Sequence, residues 1–215
     1  MLMWTKIEMK KSLYRIWSKF LTVFGDIRYS KYPPFLFYDD VNFAVSGDKI
    51  EKIMNIIEPG DVVLRGFDSY IDSLFIKSSK KYSHAGVYVG GDEIIHAIAP
   101  NVSKDHLIDF CHCDRIAILR PSKDVENGIN TAKKFYEEKV DYDFIFSEQG
   151  VGKSSLYCFE LAAYCYKNLE IEKMKATALF GLIKKKEKVY LSDSFFNSKD
   201  FKLVYECNPR FNIEG

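Results

Sequence analysis

Ser83-His84-Ala85-Gly86-Val87-Tyr88-Val89-Gly90-Gly91-Asp92-Glu93-Ile94-Ile95-His96-Ala97 is the stretch whose reading decides the fold. Two short runs rich in β-branched and aromatic residues flank Gly90-Gly91-Asp92, and that pattern is a compact hairpin signal. Each run carries one histidine. Whether the two rings share a face depends on the turn register, because a one-residue slip moves every side chain to the other side of the sheet. Upstream, Pro59-Gly60 breaks a helix predicted over residues 48–57, and Asp61-Val62-Val63-Leu64-Arg65 reads as the next strand. A short helix is predicted over 69–80. Downstream come a strand at 115–120, a helix over 125–139, and a helix over 156–168 that Ser154 or Ser155 can cap. Late strands are read at 189–191 and 201–205. The order is that of an α+β domain in which helices pack an antiparallel sheet.

The N-terminal part reads differently. Residues 3–24 place Ile7, Leu13, Ile16, Trp17, Phe20, Leu21 and Phe24 at helical steps with Lys and Arg between them. This is an amphipathic helix, packed on the domain or on a second copy. Its mix of aromatic and basic residues also fits a membrane-surface helix. Residues 28–40, with Tyr32-Pro33-Pro34-Phe35, read as an extended linker. The expected division is therefore 1–50, helix and linker, and 51–215, one further domain.

With 215 residues, 47% of them hydrophobic, the chain is long enough to bury a core without metal or disulfide. Lys and Arg number 31 against 30 Asp and Glu, so no basic excess supports nucleic acid as a partner. No stretch approaches the roughly 18 apolar residues of a membrane span, and no cleavable signal pattern is present. Five cysteines at no framework spacing point to a reducing compartment, hence a cytoplasmic address with peripheral membrane contact through residues 3–24 as its variant.

Several groups look chemical. Gly150-Val151-Gly152-Lys153-Ser154 ends like a phosphate-binding loop, but Ser147 stands where that loop needs glycine. Cys111-His112-Cys113 suggests zinc, yet no second ligand pair at metal spacing exists, so no metal and no cofactor is expected. Cys165 and Cys207 read as small core residues. Cys158 differs, because it opens a predicted helix where unpaired N–H groups and the dipole favour thiolate and can bind an oxyanion. His84, set among small residues, is the matching base, and His96 on the neighbouring strand can orient it. Taken alone, one cysteine and two histidines also fit satisfied core residues.

In sequence order the pieces are Glu58-Pro59-Gly60-Asp61, the two histidine runs, Val140-Asp141-Tyr142-Asp143, and Leu156-Tyr157-Cys158-Phe159-Glu160-Leu161 with Tyr164. Together they resemble the circularly permuted papain-like enzymes of the NlpC/P60 superfamily, and in particular the permuted papain-like amidase family of the YaeF/YiiX type with its poxvirus relatives. The resemblance covers residues 56–206. It implies a papain-like fold with permuted topology, Cys158 as nucleophile, His84 as base and His96 as third member. Many relatives have Glu at the position of His96. The His-x11-His spacing is shared with acyltransferases and phospholipases related to lecithin:retinol acyltransferase. Tyr142 and Asp143 match a pair near the cleft, and Tyr157 and Phe159 flank the nucleophile, so all four are candidate substrate contacts.

The expected activity is that of a cysteine hydrolase or amidase forming a thioester acyl-enzyme on a small-molecule, peptide-like or lipid substrate. A thiolate paired with an imidazolium is expected to make this work near neutral pH. Acyl transfer to a lipid is the alternative within the same chemistry. A non-catalytic module binding a lipid or amino-acid-like ligand among Phe144, Phe146 and Phe159 is the alternative from another class.

Overall fold

The computed structural model describes residues 27–31, 34–38, 43–67, 82–143, 155–180 and 183–207. The helices predicted over 3–24 and 69–80, the loop at 150–154, and Phe144 and Phe146 lie outside them. One eight-stranded sheet organises the domain. Its strands are β3 (Val62–Gly66), β4 (His84–Gly90), β5 (Glu93–Ile98), β6 (Asn101–His106), β7 (Arg115–Pro121), β8 (Asp141–Tyr142), β9 (Ser155–Leu156) and β12 (Phe201–Cys207). They lie in the order β12-β7-β3-β4-β5-β6-β8-β9, antiparallel except for the parallel β8–β9 pair.

The central strands are apolar throughout because both faces of the sheet are covered. On one face Val62, Leu64, Ala85, Val87, Ile95, Ala117 and Leu119 join a core with helices α3 (Val125–Glu137) and α4 (Cys158–Cys165). On the other, Val63, Tyr88, Ile94, Ile116 and Ile118 meet α1 (Gly47–Ile56), through Ile53, and α2 (Leu107–Phe110), through Leu107 and Phe110. A strand buried on both sides loses the polar alternation of a solvent-facing one. The β4–β5 turn needs left-handed backbone at three successive residues, with φ of 86° at Gly90, 63° at Gly91 and 60° at Asp92. Two glycines adopt it without a Cβ clash, and Asp is among the few other residues that visit it readily.

Several boundaries differ from the sequence reading. The helix predicted from residue 156 begins at Cys158, with Tyr157 as N-cap, because Ser155 and Leu156 pair with β8 instead. The Leu156 carbonyl accepts the Asp143 N–H at 3.1 Å, so a sheet bond takes the place of a first helical turn. The polar run Asn101–His106, unassigned from sequence, is a strand paired with β5 along its whole length. The segment read as an extended linker forms a hairpin of β1 (Ile27–Lys31) and β2 (Pro34–Tyr38), with Pro34 as the first residue of its strand, where a missing N–H is tolerated. A second separate hairpin joins β10 (Met174–Phe180) to β11 (Ile183–Val189), and the short α5 (Ser192–Phe196) follows. The packed unit also starts before residue 51, since Val45 is buried and its N–H donates to the Cys113 carbonyl at 3.0 Å. No described helix is long and apolar enough to cross a membrane.

Candidate active site

His84 opens β4 and His96 lies near the end of β5. The register pairs Gly86 with His96, so His84, Gly86 and His96 project from the same face. Gly86 makes room there, because a Cβ at that position would sit 2.5 Å from Ile94 Cγ2 and 3.2 Å from the Phe110 ring. Phe110 packs against both imidazoles, with ring centroids 5.8 Å from His84 and 5.4 Å from His96. His84 Nε2 and His96 Nδ1 are 2.7 Å apart. His96 is fully buried, and its Nε2 lies 3.0 Å from Asp105 Oδ2 on β6. The result is a continuous line from Asp105 through His96 to His84.

Hydrogen-bond logic fixes the tautomers along that line. The Asp105 carboxylate only accepts and lies within ion-pair reach of His96 Nε2 without an aligned hydrogen bond, so its charge favours a proton on Nε2 and leaves the lone pair on Nδ1. That lone pair accepts from His84 Nε2–H, which leaves His84 Nδ1 unprotonated. Nδ1 is the ring nitrogen next to the residue's own backbone.

Cys158 reaches that backbone from α4. Its Sγ lies 3.9 Å from the Ser83 carbonyl, and the nearby N–H groups of Ala85, Phe159 and Cys158 itself pull its pKa down. The thiol therefore stands at the N-terminus of α4 against the residues on either side of His84. The helix start at Cys158, later than the sequence suggested, makes this the first helical residue, where free N–H groups concentrate.

The electrostatics correct one expectation. Burial pushes the Cys158 thiol up to about 11, and the N–H donors and the Arg65 charge only partly offset it. Burial, then Arg65, then His96 hold His84 well below the usual imidazole value. His96 is also lowered, chiefly by burial, against an upward pull from Asp105. Burial thus favours the neutral thiol and the neutral imidazole over thiolate and imidazolium, because desolvation outweighs the helix terminus.

The other candidates separate. Tyr142 and Asp143 run alongside β9, with Tyr142 paired to Leu156, two residues before Cys158. Tyr142 is half-buried and Asp143 buried. Tyr157 and Phe159 are 2% and 1% exposed. The Tyr157 hydroxyl accepts the Tyr190 N–H at 2.7 Å, and Phe159 packs towards Phe195 at 6.5 Å between ring centroids. These two rings belong to the core between α4 and the sheet and present no surface to a ligand, contrary to the expectation of substrate contact. His106 caps α2 by accepting the Ile108 N–H at 3.2 Å, and His112 stacks on Phe43 at 5.6 Å. Cys111, Cys113, Cys165 and Cys207 are free and buried. Asp105 and Arg65 were not singled out from sequence. The signals available were a lone arginine closing an apolar strand and a carboxylate in a polar run after the second histidine.

A histidine-bearing hairpin followed in the chain by a helix headed by cysteine defines a papain-like α+β protein in permuted order. The chain belongs to the family described as permuted papain-like amidase enzyme, YaeF/YiiX, C92 family, whose model matches residues 56–205. That family is one of papain-like cysteine hydrolases of the amidase type. Among solved structures, the chain is similar to the metalloprotein yiiX from Escherichia coli O157:H7, at 19% identity and a TM-score of 0.58, over 72% of this chain and 99% of that one. No curated protein matches.

Proposed function

We propose that the protein is a cysteine amidase that cleaves an amide or ester bond through Cys158, with His84 as base and His96 and Asp105 as positioning residues. The observations that carry this are the Asp105–His96–His84 line, at 3.0 and 2.7 Å, and the placing of the Cys158 sulfur 3.9 Å from the carbonyl of Ser83, the residue before His84. As Sγ attacks the carbonyl carbon, its proton passes to His84 Nδ1, and the N–H groups at the start of α4 receive the developing oxyanion. His84 then protonates the leaving amine or alcohol, giving a thioester on Cys158. Water, deprotonated by His84, attacks the thioester and releases the acid and the free thiol. A neutral resting pair suits this sequence, because the proton moves only when the nucleophile engages.

Peptide-like and lipid acyl donors are both within this chemistry, and the proposed peripheral membrane contact through residues 3–24 would favour the latter. The yiiX protein is named a metalloprotein. Here no three His, Cys, Asp or Glu side chains among the described residues are grouped to hold a metal ion.

The test is incubation with amide and ester acyl donors, read by mass spectrometry. An adduct on Cys158 is expected in the native chain and absent in Cys158→Ser. Its formation should slow by roughly 100-fold or more in His84→Ala. Ligand retained without any adduct, or an unchanged rate in His84→Ala, would refute the reading.

A further inference from the structure

The site holds a positive charge that this chemistry does not use. Arg65 lies opposite His84 in the β3–β4 register, so its side chain rises on the imidazole face. Its guanidinium centre sits 4.3 Å over the Phe110 ring, the ring that also packs both histidines, and 5.4 Å over Phe67. Nη1 reaches the Phe110 carbonyl at 3.5 Å. Nε is buried with no hydrogen-bond partner, and among the described residues no carboxylate pairs with this guanidinium. Asp105, whose charge it feels, is engaged by His96. The Arg65 charge acts on His84, His96 and Cys158 alike.

Arg120 shows how this fold treats an arginine with a structural task. Its Nε and Nη2 hold the Asp61 carboxylate at 2.9 Å each, Nη1 meets Glu58 at 2.6 Å, and Nη2 also reaches the Ile56 carbonyl at 2.8 Å. Arg65 has only the Phe110 carbonyl and no carboxylate among the described residues. A buried cation without a counter-ion is costly, and its unbonded Nε–Nη2 edge has the shape that matches the two oxygens of a planar anion.

We infer that Arg65 is a specificity residue that binds a carboxylate of the substrate, so that the acyl donors cleaved carry a free carboxylate close to the scissile bond. This rests on the catalytic reading of Cys158 given above. A carboxylate fits better than a phosphate monoester. One fork and one positive charge match a monoanion, whereas a phosphate would bring about −1.5 to −2 charges towards Asp105.

Two small alkylating agents that differ in this one charge provide the test. Rates of Cys158 alkylation by iodoacetate and by iodoacetamide are read by peptide mass spectrometry, in the folded chain and in the chain unfolded by urea. The iodoacetate-to-iodoacetamide ratio at Cys158 should be roughly tenfold higher in the folded chain, as expected for an anion drawn to a fixed cation. A folded ratio at or below the unfolded one overturns the inference without need of a variant. In Arg65→Gln the excess should vanish, and its survival there also overturns the inference. Arg65→Lys should recover less than half of it, whereas full recovery would show that charge acts without the fork. Acetate should protect Cys158 from iodoacetamide better than inorganic phosphate, and the reverse order would refute the carboxylate assignment. Separately, iodoacetamide labelling at an unchanged rate in His84→Ala would sink the catalytic reading whatever the ratio does. A Cys158 that takes neither reagent while folded would sink both.

Discussion

Replacing Asp105 with leucine takes the acceptor away from the far end of the imidazole line while leaving both rings in place. In the native chain the carboxylate lies 3.0 Å from His96 Nε2, and its side chain is 37% exposed while His96 is fully buried. A hydrogen bond to a charged group contributes about 1.5–3 kcal/mol when well protected. Solvent screening at this exposure and the poor alignment of the pair reduce that to about 1–2 kcal/mol. The contribution here is chiefly to tautomer choice. Without Asp105, His96 is free to carry its proton on Nδ1, His84 Nε2 must then accept, and His84 Nδ1 holds the proton that should be absent. If the full 1–2 kcal/mol is lost from the reactive tautomer, Cys158 alkylation by iodoacetamide at pH 7 falls by roughly 5- to 30-fold. Imidazole 15N spectra provide the companion assay, with both rings Nε2–H in the native chain and a mixture in Asp105→Leu. The reasoning fails if Asp105→Leu alkylates at the native rate with unchanged tautomers while His96→Ala is slow. The line would then end at His96, and Asp105 would be only a strand residue.

Burial depresses both imidazoles below the ordinary value of 6.5, so the unfolded chain binds protons that the folded chain refuses. Stability is therefore present above about 6.5 and lost as pH falls below it towards the folded values. The thermal midpoint should drop between pH 6.5 and 5, and His84→Gln should flatten that slope; an equal slope in the variant would refute the assignment. Gly86→Ala, whose Cβ would meet Ile94 at 2.5 Å, should cost about 1–3 kcal/mol in urea unfolding. Arg120→Ala leaves Asp61, 1% exposed, without its cation, and should cost about 3 kcal/mol by the same measurement. Finally, because burial sets the thiol at about 11, the Cys158 alkylation rate should keep rising with pH well above 8. A plateau below pH 7 would instead reveal a resting thiolate.

What the sequence made legible was local or periodic. Gly90-Gly91-Asp92 announced its turn because three positive φ angles leave few residue choices. The apolar strands and the helices at 47–56 and 125–137 followed from pattern. The pairing of the two histidines had a visible spacing, but its face depended on a register that only the folded hairpin sets. Asp105 was illegible for a related reason. It is the cross-strand partner of Ile94, diagonal to His96, and a diagonal contact requires the β5–β6 register as well. Ser155 looked like a helix cap until β8 offered its backbone a sheet partner from a distant part of the chain. The thiol's protonation state was misjudged because a helix terminus is visible in sequence, whereas the depth of the surrounding core is not.

The two ends of the site lie very differently along the chain. His84 and His96 are 12 residues apart on one hairpin, whereas Ser83 and the sulfur that touches its carbonyl are separated by 75. Since chains emerge N-terminus first and local contacts close soonest, the imidazole pair is expected to assemble before α4 has left the ribosome. On the proposed reading, Cys158 would meet its proton acceptor only when α4 docks on the sheet. Docking also brings its sulfur to the Ser83 carbonyl and the Ala85 N–H, so a nascent or partly unfolded chain would carry an ordinary cysteine. On that reading the permuted order would make reactivity at Cys158 a late product of folding.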